Sequence, residues 1–206
     1  MSERAEKMKN ALEQKLESVT LVAEATHLRH NLSAIIRTAE SFGLSDIYMI
    51  SDRSKKVSGA AKGAEKWVNL NIENNTKQCM DKLKSKGYSI YVADLHPDAY
   101  TPDTIPVDRP IAILMGTELS GVSEEAKAMA DGFVIIPMFG LTQSLNVSVA
   151  SACLLQRITT RRREIVGRGD LSQAEQHRRL TEWLERDERE KQRRKARQNL
   201  AREAKT

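Results

Sequence analysis

The segment Ile111–Met115 (IAILM) constrains this chain more than any other. Five consecutive apolar residues do not suit a strand with one face in water. Such a strand is covered on both faces, and in an α/β domain the cover comes from helices that alternate with strands along the chain. The rest of the sequence supplies that alternation. Its patterning predicts further strands at Leu21–Ala25, Ile47–Ile50, Val68–Ile72, Ser89–Ala93 and Gly132–Ile136. Between them, helical spacing runs over Leu32–Phe42, Lys77–Lys86, Ser123–Met129 and Leu145–Arg163. Asn31 and Ser123 are placed to cap two of these helices, and Gly43 and Gly87 to stop two. The expectation is an α/β fold: a parallel sheet flanked by helices.

Extensions are expected on either side of a main domain at residues 19–165. In residues 1–18, Met8, Leu12 and Leu16 recur on one face of a short helix over residues 3–17. Residues 166–206 open with the turn-like GRGD and continue without Gly or Pro. In that tail Leu180, Trp183 and Leu184 form a small apolar cluster that could dock on the body. Charge is unevenly spread. From Arg157 onward sixteen Lys/Arg stand against nine Asp/Glu, a surplus of seven in a chain of net +5, which leaves the first 156 residues at −2. A basic tail on a near-neutral body suits a polyanionic partner, and RNA fits better than a membrane because large apolar residues are few. A solvated helix laced with both charges would look the same.

Other classes are disfavoured. The N-terminus lacks the apolar core of a secretion signal, and the longest apolar stretch, near Val147–Leu155, is too short to span a bilayer. Cys79 and Cys153 have no partners at metal-ligand spacing and read as reduced, buried thiols. His27 and His30 have no Cys or carboxylate to complete a metal site, so no metal is expected. Aromatic residues make up only 4% of the chain, against recognition by base-stacking platforms. A cytoplasmic location follows.

Three stretches carry candidate chemistry. In HNLSAIIRTA, Asn31 and Arg37 fall near a strand-to-helix junction, where ligands of α/β sheets gather; taken alone, a capped helix with a solvated arginine is the better reading. In LMGTELSGVS, Gly116 allows close backbone approach to a ligand and Glu118 falls past the carboxyl end of a strand. The stretch is neither a dinucleotide fingerprint nor a P-loop. In IIPMFGLTQSLNVSVA, a strand ends, a loop follows, and a helix carrying Ser144 and Asn146 begins, with Ser144 a possible cap.

Together these stretches resemble the motifs of the SPOUT methyltransferases, specifically the TrmH branch of tRNA and rRNA ribose 2′-O-methyltransferases, from about Val19 to Arg163. The resemblance implies that the segment holding the second and third stretches forms a deep trefoil knot, a topology general rules almost exclude. It implies S-adenosylmethionine as methyl donor, lined by Ala93, Leu95, Met115, Gly116, Ile136, Met138 and Leu145. It makes Arg37 the catalytic residue, with Asn31, Glu118, Ser144 and Asn146 completing the site. It further implies a homodimer, with Asn31 reaching the site from the partner subunit. The implied substrate is tRNA, foremost guanosine 18 of the D-loop. Ribosomal RNA, the wobble nucleotide, and RNA binding without catalysis remain alternatives.

Overall fold

Alternation along the central strands decides which side chains meet which helices. The computed structural model describes residues 2–24, 29–51, 63–117 and 120–203. In chain order these form α1 (Glu3–Leu12), β1 (Val19–Glu24), α2 (Arg29–Ser41), β2 (Asp46–Ile50), β3 (Asn69–Glu73), α3 (Thr76–Ser85), β4 (Ser89–Ala93), β5 (Ile111–Met115), α4 (Glu124–Met129), β6 (Gly132–Val134), α5 (Val147–Val166) and α6 (Gln173–Glu203). The six strands make one sheet in the order β3-β2-β1-β5-β4-β6, and every pairing is parallel. This is an α/β fold.

All six residues of β1 and all five of β5 are buried. Leu21, Ala23, Ile111, Ile113 and Met115 face one core with Ile35, Ile36 and Ala39 of α2 and Leu154, Leu155 and Ile158 of α5. Val22, Ala112 and Leu114 face the other, with Cys79, Met80 and Leu83 of α3 and Ala126 of α4. Each face therefore has its own helical layer, as a two-sided apolar strand requires.

Two compact units result, one of Lys15–Asp170 and one of Met1–Gln14 with Leu171–Thr206. The first holds the sheet. The second is helical: α1, capped by the Ser2 hydroxyl accepting from the Ala5 amide, packs against α6. Among the described residues, no helix is long and apolar enough to cross a membrane.

Several local expectations change. The first helix ends at Leu12, not near residue 17, because Leu16 pairs its main chain with the segment after α2: its amide donates to Gly43 O (2.8 Å), and its carbonyl accepts from the Ser45 amide (2.9 Å). Asn31 is no cap, since α2 already begins at Arg29. Asn146, not Ser144, caps α5, its Oδ1 accepting from the Ser148 amide at 2.9 Å. The last strand stops at Val134, before the predicted Ile136. Cys79 is buried as expected, but Cys153 is exposed. Ala25 and His27 lie outside the described residues.

Candidate functional site

Parallel strands bring their carboxyl ends to one edge, where open α/β sheets hold ligands. At that edge β4 lies between β5 and β6, with Val92 paired to Leu114 on one side and Phe133 on the other. A cavity of about 530 Å³ opens there. Its walls come from Ala93, Asp94 and Leu95 after β4, and from Met115, Gly116, Thr117 and Gly121 at the end of β5. Val134, Ile135, Ile136 and Met138, the run Gln143–Val147, Ala150 and Leu154 of α5, and Asn31 of α2 supply the rest.

Each wall is built differently. After β5 the chain folds back on itself: Thr117 and Gly121 exchange main-chain hydrogen bonds at 2.8 and 3.1 Å. A Cβ on Gly116 would lie 2.2 Å from the Gly121 carbonyl carbon, so the close approach that requires glycine is to the loop itself, not first to a ligand. The buried Glu24 carboxylate, at the end of β1, fixes the far end of this loop. It accepts from the Ser123 amide (2.8 Å) and hydroxyl (2.6 Å) and from the Thr76 hydroxyl (2.6 Å).

The wall after β4 is zipped to β6. The Tyr100 amide donates to Phe133 O and the Ile135 amide to Tyr100 O, at 2.9 and 2.8 Å. His96 stacks on Phe133 with ring centroids 4.1 Å apart. The third wall contrasts with both. Among the described residues, no main-chain group from Ile136 to Leu145 bonds to another main-chain group. Amides and carbonyls left this way seek partners in water or a ligand.

Asn146 ties the third wall to α2. Its Nδ2 donates to Asn31 Oδ1 at 3.2 Å while its Oδ1 caps α5, so both ends of the amide are engaged. The Ser144 hydroxyl, two residues earlier on the cavity wall, has no hydrogen-bond partner among the described residues. Asp94 is the only ionisable side chain among the described lining residues. Its Oδ2 lies 2.8 Å from Lys127 Nζ, and Asp94 first, then Glu124, raises the Lys127 ammonium above the ordinary lysine value. A wall of apolar groups, amides and hydroxyls with one balanced charge suits binding better than acid–base work.

All seven residues expected around the methyl donor line this one cavity, as do Asn31, Ser144 and Asn146. Arg37 does not. It is exposed on α2, six residues beyond the buried Asn31, and therefore on another side of the helix. Asn31 lines the cavity of its own chain, where the Asn146 side chain donates to its Oδ1. Glu118 lies outside the described residues. The sequence reading missed Asp94, Thr117 and Gln143. For Asp94 the signal was there, a carboxylate at the carboxyl end of a parallel strand.

The chain resembles known proteins over most of its length. The model of the SpoU rRNA methylase family matches residues 18–156. The chain is 37% identical to the tRNA (guanosine(18)-2′-O)-methyltransferase of Borreliella burgdorferi, over 79% of this chain and 75% of that one. It is 38% identical to the enzyme of the same name from Escherichia coli K12, over 80% and 74%. Among solved structures, the A. aeolicus TrmH/SpoU tRNA modifying enzyme superposes with a TM-score of 0.80 at 31% identity, covering 89% of this chain and 96% of that chain.

Proposed function

The chain belongs to the SpoU rRNA methylase family, and from that premise we propose that it methylates a ribose 2′-hydroxyl of tRNA, at guanosine 18 of the D-loop, with S-adenosylmethionine as donor. The observation that carries this reading is the convergence of three loops, Asn31 and the first turns of α5 on one cavity. Its fit to the donor rests on three features. The volume lies within the ~300–1,000 Å³ typical of small-molecule sites. Met115, Ile136, Met138 and Leu145 offer apolar walls for a purine ring. The main chain from Ile136 to Leu145, which bonds to no other main chain among the described residues, offers donors and acceptors for the ring edge.

When bound, the donor supplies a methyl group on a positively charged sulfur, already activated toward an attacking oxygen. What remains for the protein is to place the ribose hydroxyl and manage charge as its proton leaves. We assign that task to Arg37. A guanidinium is a planar cation with several fixed donors, so Arg37 stabilises the developing alkoxide and orients the adjacent phosphate. Asn31, Ser144 and Asn146 shape the corner where the hydroxyl enters, and Glu118 is assigned to the same catalytic set by its motif.

Because Arg37 is outside its own chain's cavity, the working unit in this reading is a homodimer in which each subunit lends Arg37 to the other. Leu95 and Leu145 of the cavity wall are exposed, as are Phe139 and Leu141 in the loop before α5 and Val149 in its first turn, which supports a covering surface there. The segment that holds Gly116 and Asn146 forms a trefoil knot. Such threading would keep the loop before α5 in place although its main chain bonds to no other main chain among the described residues. The basic end of α6 holds RNA phosphates, and the enzyme works in the cytoplasm.

The test is mass spectrometry of ribose-methylated nucleosides from unmodified tRNA incubated with enzyme and labelled donor. Labelled 2′-O-methylguanosine at position 18 is expected, and Arg37→Ala should abolish it. Arg37→Lys should lose most of it, lacking the planar fork. Asn31→Ala and Arg37→Ala subunits, mixed to form heterodimers, should regain activity that neither has alone, since one cavity then keeps its own Asn31 and receives an intact Arg37. Methylation by Arg37→Ala near the wild-type rate would overturn the assignment, and no gain on mixing would overturn the shared site.

A further inference from the structure

Asp94 is out of place in a wall otherwise made of apolar and neutral polar groups, and its setting narrows what it can recognise. Both carboxylate oxygens are engaged within the protein: Oδ1 accepts from the Leu95 amide at 2.9 Å, and Oδ2 meets Lys127 Nζ at 2.8 Å. Its side chain is 27% exposed, open enough to touch a ligand and enclosed enough to hold one position. The loop that carries it is fixed as well. The Asp98 amide donates to His96 Nδ1 at 3.2 Å, and the His96 ring lies flat on Phe133, 7° from parallel. A group held this way meets a ligand with little further loss of side-chain freedom.

The Lys127 ammonium settles which ligand group it meets. An unpaired carboxylate would favour a cation, but this one is already balanced, so a second positive charge gains little from it. What it retains are lone pairs, since a carboxylate offers about four acceptor sites and two are used here. The natural partner is a neutral donor, and a pair of vicinal hydroxyls suits two neighbouring oxygens. We propose that Asp94, held by Lys127, receives the ribose hydroxyls of the donor's nucleoside and makes this cavity selective for a ribonucleoside over its deoxy counterpart. Asp94 is the binding residue and Lys127 the positioning residue. The inference rests on the functional reading above, because it takes the cavity to be the donor site.

The test is calorimetric titration of the full chain, with no methyl transfer involved. The probes are S-adenosylmethionine, 5′-methylthioadenosine and 5′-methylthio-2′,3′-dideoxyadenosine. The wild type should bind the dideoxy compound ~10–100-fold more weakly than methylthioadenosine, the loss expected for hydrogen bonds to a charged group. Asp94→Ala should bind the two nucleosides nearly equally. Asp94→Asn, which keeps one acceptor oxygen and the side-chain volume, should retain part of the preference, and covers the case in which the alanine variant does not fold. Lys127→Met should weaken the preference with Asp94 intact. An Asp94→Ala or Asp94→Asn protein that keeps the full wild-type preference would overturn the proposal and leave the functional reading standing. A wild type that binds S-adenosylmethionine with no nucleoside preference would do the same, and one that binds none of the three probes would overturn both.

Discussion

Helices α5 and α6 are both long, 20 and 31 residues, yet they are held by opposite means. In α5 the buried residues Val147, Ser151, Leu154, Leu155, Ile158, Thr159 and Arg162 recur at helical spacing. Even its polar members fit inside: Ser151 and Thr159 donate to the carbonyls of Val147 and Leu155 one turn back, each at 2.7 Å. Arg162 donates to Ser18 Oγ and Val107 O at 2.8 Å. Helix α6 is mostly exposed and carries one turn-spaced ion pair after another, among them Arg179 with Glu175 and Lys191 with Asp187. Packing makes the first helix. In the second, buried residues such as Trp183 are few, and local propensity and side-chain pairs do most. The difference matches their proposed work, since a cavity wall must stay in place whereas a phosphate-binding surface needs mainly accessible charge.

The largest effect that could break this contrast lies in α5. Leu155 is fully buried, so Leu155→Ala should cost ~2–5 kcal/mol of stability, read as a shift of the chemical denaturation midpoint. Donor affinity should fall with it, because Leu154 and Ala150 beside it line the cavity. A cost under ~1 kcal/mol would mean that burial does not hold this helix.

The second test sharpens the contrast from the side of α6. Replacing the exposed Arg193, Arg194, Lys195 and Arg197 by Gln should leave stability within ~0.5 kcal/mol. Affinity for tRNA should fall, and the slope of its logarithm against that of salt should shrink by ~0.7–0.9 for each phosphate contact removed. An unchanged slope would take RNA binding away from this helix. Thiol chemistry probes the outer side of α5 more finely. Burial pushes Cys79 up to about 12, so it should resist thiol reagents, whereas the exposed Cys153 of α5 should react in the folded chain. Two reactive thiols would show that the sheet face under α3 does not enclose Cys79. Protection of Cys153 that appears only as concentration rises would place a second subunit on α5.

The same contrast explains what could be read from the sequence. Strands β4 and β5 match their predicted ends residue for residue, since each is an apolar run bounded by polar residues or turns. Neighbour-based rules failed where a distant group took over. Asn31 has the composition of a cap, but Asn146, 115 residues away, engages its side chain. Leu16 fits a helical face, but Gly43 and Ser45 take its main chain. The residues expected around the donor came from family motifs, and they line one cavity that no local pattern describes. Arg37 came from the same motif as Asn31, yet the helix turns the two to different surroundings, and linear spacing alone did not separate them.

The smallest effect concerns whether the pairs along α6 contribute at all. Arg178 first, then Arg179, holds the Glu175 carboxylate down at about 2, well below its ordinary 4.5. A depressed carboxylate stabilises the folded state at pH above its unfolded value, and that contribution disappears as pH falls from about 4.5 toward about 2. Glu175 is partly solvated and its Arg178 partner is exposed, so screening leaves only a fraction of the apparent interaction. Thermal melting should therefore show wild type slightly above Glu175→Gln at neutral pH, with the gap closing through that acid window. High salt should narrow the gap at neutral pH, because exposed pairs are screened. A gap that persisted unchanged at both extremes would locate the effect of Glu175 in packing, and α6 would then resemble α5 more than its charge pattern suggests.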